Sequence, residues 1–122
     1  MLFIESFVEK YNFSLIDFEN SIEEWINNNF VCYSVKELAY EICSRVYSEL
    51  NYEPIEYYIL YKLSNINNRY IHNIIFQYED IYFHFSIIWY ENSLKITEWE
   101  IIDKTEFENI NGYEDIENVL ED

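Results

Sequence analysis

Tyr70-Ile71-His72-Asn73-Ile74-Ile75-Phe76-Gln77-Tyr78-Glu79-Asp80-Ile81-Tyr82-Phe83-His84-Phe85-Ser86-Ile87-Ile88-Trp89-Tyr90 is the stretch that decides the fold. Aromatic and β-branched residues, which suit a pleated surface, flank an acidic pair and recur with a period of two on either side of it. A two-residue turn at Glu79-Asp80 pairs Tyr78 with Ile81, Phe76 with Phe83 and Ile74 with Phe85. Tyr70, His72, Ile74, Phe76, Ile81, Phe83, Phe85, Ile87 and Trp89 then share one face, which other elements must cover. The reverse face holds Asn73, Ile75, Gln77, Tyr82, His84, Ser86 and Ile88, a mixed set suited to partial exposure.

Working outward, the segments 57–63 and 94–102 have the same composition, and turn signals at Ser64 to Asn68 and at Glu91-Asn92-Ser93 separate them from the central pair. A four-stranded antiparallel meander is predicted. A three-residue turn at 91–93 would place Lys95, Thr97, Trp99 and Ile101 inside and Leu94, Ile96, Glu98, Glu100 and Ile102 outside. This register is preferred to its reverse because it keeps two carboxylates out of the core.

Upstream the period is helical. Leu2, Phe3, Phe7, Val8 and Tyr11 form a short stripe, and Leu15, Phe18, Ile22, Trp25 and Ile26 form a second that ends in Asn27-Asn28-Asn29. Ser34 and Glu37 make an S-x-x-E capping signal before Val35, Leu38, Ala39, Ile42, Val46 and Leu50. Pro54, the single proline, follows that helix. After Asn111-Gly112, the spacing of Tyr113, Ile116, Val119 and Leu120 predicts a short final helix. The reading is one α+β domain over residues 1–122: N-terminal helices packed on one face of a four-stranded antiparallel β-meander, with a short C-terminal helix.

Charge restricts function more than any motif does. The chain carries 24 Asp and Glu against 7 Lys and Arg, a net of −17 over 122 residues. Such a balance disfavours direct contact with nucleic acid or an anionic membrane and favours a basic protein partner. Ile, Asn, Tyr and Phe are abundant as in AT-rich coding, yet lysine has not risen with them. With 50% hydrophobic and 20% aromatic residues the chain is too apolar for a disordered acidic tail. Cys32 and Cys43 lack metal or disulfide spacing and read as reduced thiols of a cytoplasmic protein. The Met1-Leu2-Phe3-Ile4-Glu5 start lacks a basic n-region, and no apolar run is long enough to span a bilayer.

Half of the net charge falls in residues 98–122, where Glu98, Glu100, Asp103, Glu106, Glu108, Glu114, Asp115, Glu117, Glu121 and Asp122 face one base, Lys104. These ten residues are the candidate partner-binding site. A chain of this mass exposes on the order of 7,000 Å², so evenly spread acids would give about one net charge per 400 Å². Duplex DNA presents roughly one per 100 Å². Mimicry of nucleic acid therefore requires that the fold gather the C-terminal acids. Exposed tyrosines beside them would suit docking on an arginine-rich surface.

No catalytic, metal-binding or phosphate-cradling pattern stands out, and no cofactor is expected. His72 and His84 point to opposite faces in the register above. His84 opposes Glu100 across the strands, a pair more often structural than catalytic. In general character the chain resembles small acidic phage-encoded inhibitors of bacterial defence, the anti-CRISPR and anti-restriction proteins. That resemblance is one of composition and carries over no residue. It implies a non-enzymatic inhibitor, monomeric or homodimeric, that acts in the cytoplasm of a bacterial host cell and occupies a basic cleft of a CRISPR effector or other nuclease. Two alternatives are an immunity protein or antitoxin against a nuclease toxin, and an adaptor or scaffold subunit that uses Ile75, Ile88 and Ile96 as an apolar outer face.

Overall fold

The hairpin about Glu79-Asp80 is present in the computed structural model, which describes residues 9–10, 15–29, 34–89 and 94–119. Strands β1 (Ile59–Ile66), β2 (Arg69–Tyr78), β3 (Ile81–Trp89) and β4 (Leu94–Ile102) form an antiparallel meander. Tyr78 pairs with Ile81, Phe76 with Phe83 and Ile74 with Phe85, as the sequence predicts. Asn67 and Asn68 link β1 to β2 with φ of 54° and 65°, a left-handed pair that asparagine tolerates better than most residues. Glu79 also lies in that region, at φ 53°.

Helices α1 (Leu15–Asn29) and α2 (Val35–Glu49) lie on the inner face, α1 against β4 and α2 against β1. Ser34 caps α2 as expected, its Oγ accepting the Glu37 amide at 3.1 Å. The core between the layers is aromatic and aliphatic: Phe76, Phe83 and Phe85 stack across β2 and β3 beneath Ile22, Leu38 and Ile42. The inner face is not covered throughout, since Tyr70, expected inside, is 59% exposed. It lies at the β1–β2 tip, where Leu63 and Ile66 are exposed too. Of the first predicted helix only Glu9 and Lys10 are described, both helical, and Lys10 Nζ lies 3.3 Å from Glu79 Oε2.

Two expectations need correction. The first is the register of β4. Ser86 pairs with Glu98 and Ile87 with Ile96, so Thr97 is an extra residue, a β-bulge. Beyond it Trp99 and Ile101 face inward as predicted. Before it the phase reverses: Ile96 is buried in the core, while Lys95 and Thr97 are exposed. The bulge lets β4 bury Ile96 and Ile101 without burying Lys95.

The second concerns the chain after β4, where no helix spans 113–120. A short helix α3 (Lys104–Glu108) is followed by a strand β5 (Glu114–Asp115) that pairs antiparallel with Leu60 and Tyr61 of β1, and by a 3₁₀ turn (Ile116–Asn118). The sheet therefore has five strands in the order β4-β3-β2-β1-β5. An eight-residue helix with acids near its C-terminal end is weak. Pairing with β1 satisfies edge backbone groups, and Ile116 is buried in the core.

Candidate partner-binding surface

The sheet order fixes the path of the acidic segment. β4 and β5 lie at opposite edges, so residues 103–113 must cross the sheet, and the contacts place that crossing on the outer face. Phe107 stacks on Tyr82 with ring centroids 3.8 Å apart and planes 5° apart. Tyr113 Oη lies 2.9 Å from His84 Nε2. Lys62 of β1 reaches the Asn111 carbonyl at 3.4 Å and lies 5.7 Å from the centre of the Tyr113 ring. Gly112, at φ 85°, permits the bend, and a Cβ there would lie 3.3 Å from Lys62 Cε.

Beneath this strap, polar residues of the outer face satisfy one another. Asn73 and Ser86 are buried; Ser86 Oγ donates to Asn73 Oδ1 at 2.9 Å, and Asn73 Nδ2 donates to Ser64 Oγ and the Lys62 carbonyl, each at 3.1 Å. One row along, His84 lies between Glu100 Oε1, 3.1 Å from its Nδ1, and Tyr113 on the other side. Burial, and then the Glu100 charge, raise the Tyr113 phenol to about 12, so it stays protonated and can donate to Nε2. His72 faces the other side of the sheet, where Tyr61 Oη is 2.6 Å from its Nδ1 and burial lowers its pKa. The two histidines thus share no site.

The ten candidate acids have unequal roles. Glu98 and Glu100 stand on the outer face of β4, and Glu106 and Glu108 on α3, which packs against β3 on that same face. Asp103 caps α3 by accepting the Glu106 amide at 2.8 Å. Asp115 caps the 3₁₀ turn by accepting the Glu117 amide at 2.9 Å. Glu100 is engaged by His84. Glu114 is exposed at the β5 edge. Glu117 turns back to the helical layer and accepts the Tyr40 hydroxyl, which pushes that phenol up to about 12. Glu121 and Asp122 lie outside the described residues. Among the described residues Glu98, Glu106 and Glu114 make no ion pair, and Glu108 has only an exposed one, 3.9 Å from Lys104.

Sequence reasoning missed two further acids. Glu19 and Glu23, one helical turn apart on α1, reach β4: Glu19 Oε2 accepts the Trp99 indole N–H at 3.1 Å, and Glu23 Oε1 accepts the Ile96 amide at 2.6 Å. The second bond caps a backbone donor beside the bulge on an edge strand, a position otherwise able to recruit another chain. Their i, i+4 spacing was visible in the sequence. That both turn toward a strand was not.

A comparison with protein-family profiles, curated proteins and solved structures finds no match. The functional argument therefore rests on the residues and their arrangement.

Proposed function

We propose that this chain is a non-catalytic inhibitor that places its acidic outer face in the basic nucleic-acid-binding cleft of a bacterial defence nuclease, in the manner of an anti-CRISPR or anti-restriction protein. The observation that carries the reading is the strap. It spreads residues that are neighbours in sequence across the outer face, from Glu98 at the β4 edge to Glu106 and Glu108 on α3, whereas Glu114, paired with Tyr61, turns to the inner side at the β5 edge. Among the described residues Glu98 and Glu106 make no ion pair that binding would break, and Glu108 has only its exposed pair with Lys104. Lys104 pairs with Glu108, and Lys62 and Lys95 stand on the same face by register, so cations offset part of this charge and leave a local rather than a continuous anionic surface. Over 7,882 Å² the whole chain averages about one net charge per 460 Å², well below duplex DNA at roughly one per 100 Å². The inhibitor thus imitates a short stretch of phosphates, and steric occupation supplies the rest of the block. Complementary charge would speed association and make it salt-sensitive.

The same physics would serve an immunity protein against a nuclease toxin. An adaptor role loses its apolar outer face, because Ile75 and Ile96 are buried and Ile88 is half-buried. The test is capture of purified CRISPR effectors and restriction enzymes on the immobilised chain, each with and without its own nucleic acid, followed by a salt gradient. Capture of an apo enzyme, released at moderate salt and prevented by guide RNA or DNA, is the expected result. Reversing Glu98, Glu106 and Glu108 to Lys should abolish it. Asp115 is left alone because it caps a turn. Equal capture by the folded threefold variant would overturn the reading.

A further inference from the structure

A second feature lies at the C-terminal end of α2, where a cavity of about 350 Å³ opens between that helix and residues 52–57. Asn51, at φ 55°, reverses the chain, and the Tyr52 amide donates to the Tyr47 carbonyl at 2.9 Å. The reversal gathers three tyrosines. Tyr52 meets Tyr47 edge-on, with centroids 5.0 Å apart and planes at 76°, and Tyr57 lies parallel to Tyr47 at 5.7 Å and 10°. The Tyr47 hydroxyl donates to the Gln77 carbonyl, which holds that ring in place. Ser48, Asn51 and Glu53 add a hydroxyl, an amide and a carboxylate to the lining.

Each of these groups favours a cation. Aromatic faces attract positive charge. The last turn of α2 contains no basic residue to offset its partial negative charge. Among the described residues Glu53, which is exposed, makes no ion pair and no Lys or Arg lines the cavity. A planar guanidinium satisfies this set better than a compact ammonium, because it stacks on a ring while its edge donates to oxygen acceptors. The neighbouring Ile55 is fully exposed at 102%, which gives an apolar rest to a polypeptide and nothing to a small free cation.

We propose that this cavity takes an arginine side chain of the protein partner, its guanidinium seated among Tyr47, Tyr52 and Tyr57 with Glu53 at its edge. The identity of the partner rests on the function proposed above; the binding of arginine does not. The test is an NMR titration of the ¹⁵N-labelled full chain with three probes: N-acetyl-Gly-Arg-Gly-amide, the same peptide with neutral citrulline in place of arginine, and agmatine. The arginine peptide should give saturable shifts confined to residues 44–57, with citrulline at least tenfold weaker. Glu53→Gln and Tyr57→Leu should each weaken binding at least threefold, while Glu108→Gln, which removes an equal charge elsewhere, should not change it. Equal binding of the citrulline peptide, absence of saturation, or the same loss in Glu108→Gln as in Glu53→Gln would overturn the proposal. Agmatine binding more tightly than the peptide would overturn its protein-borne source. Failure to capture any nuclease would leave these titrations standing, so the two readings fail separately.

Discussion

His72 and His84 belong to one sheet but serve different neighbours, and each supports a prediction. His72 is held neutral by burial, so its folded pKa lies below the ordinary unfolded value of about 6.5. The unfolded chain therefore binds the extra proton more readily. The stability associated with neutral His72 is present above pH ~6.5 and is lost as pH falls toward the folded pKa. His72→Gln should flatten the fall in Tm between pH 7 and pH 5, measured by thermal circular dichroism on both proteins. On the other face, Tyr113→Phe removes the hydroxyl that meets His84 Nε2. A loss of about 0.5–1.5 kcal/mol is expected from urea unfolding, the range for one intramolecular hydrogen bond. The His84–Glu100 half of this cluster was legible, because hairpin pairing alone brought those residues opposite each other. Tyr113 was not legible: its apolar spacing matched a helix, and only the topology brings it back over β3.

Among the elements, the strap and β5 show where local pattern loses to tertiary demand. Tyr113, Ile116 and Val119 have helical spacing, but an exposed β1 edge and a vacancy for one aliphatic side chain outweigh the few hydrogen bonds of a short acidic helix. Ile116→Ala should therefore cost about 2–4 kcal/mol, as for other buried isoleucines, and shift the urea midpoint without altering the helical signal. Gly112→Ala should cost about 1–2 kcal/mol because its positive φ penalises a Cβ, in addition to crowding Lys62. The meander, both central helices and the capping serine were readable because period and turn chemistry agreed there. The β4 bulge was not, since a single inserted residue changes no composition. Lys95 and Ile96 are adjacent, and which of them faces inward is decided by the bulge at Thr97, the residue directly after Ile96.

For the molecule as a whole, net charge was legible and its placement was not. The run of acids in residues 98–122 suggested one patch, whereas Asp103 caps α3, Asp115 caps a 3₁₀ turn, Glu100 meets His84, Glu114 turns to the inner side and Glu117 meets Tyr40. A folded chain at −17 repels itself, and added salt screens that repulsion. Tm should rise by about 4 °C between roughly 20 and 300 mM NaCl. The rise should shrink in the variant with Glu98, Glu106 and Glu108 reversed to Lys, because each reversal removes two units of negative charge. A similar salt response in both proteins would place the dominant repulsion elsewhere on the surface.

The closure of the sheet by β5 also has a consequence for biosynthesis. β1 is completed at Ile66, but its covering strand begins at Glu114, roughly 50 residues later. At a translation rate of about 5–20 residues per second, the β1 border of the nascent meander waits some 2–10 s before its own chain can cover it. During that interval Leu60 and Tyr61 offer backbone groups to any passing strand, and neighbouring ribosomes on one message carry identical copies. Crowding of this kind favours pairing between nascent chains. Slowing translation across residues 67–113 should lower the yield of native protein more than slowing it upstream of Ile59.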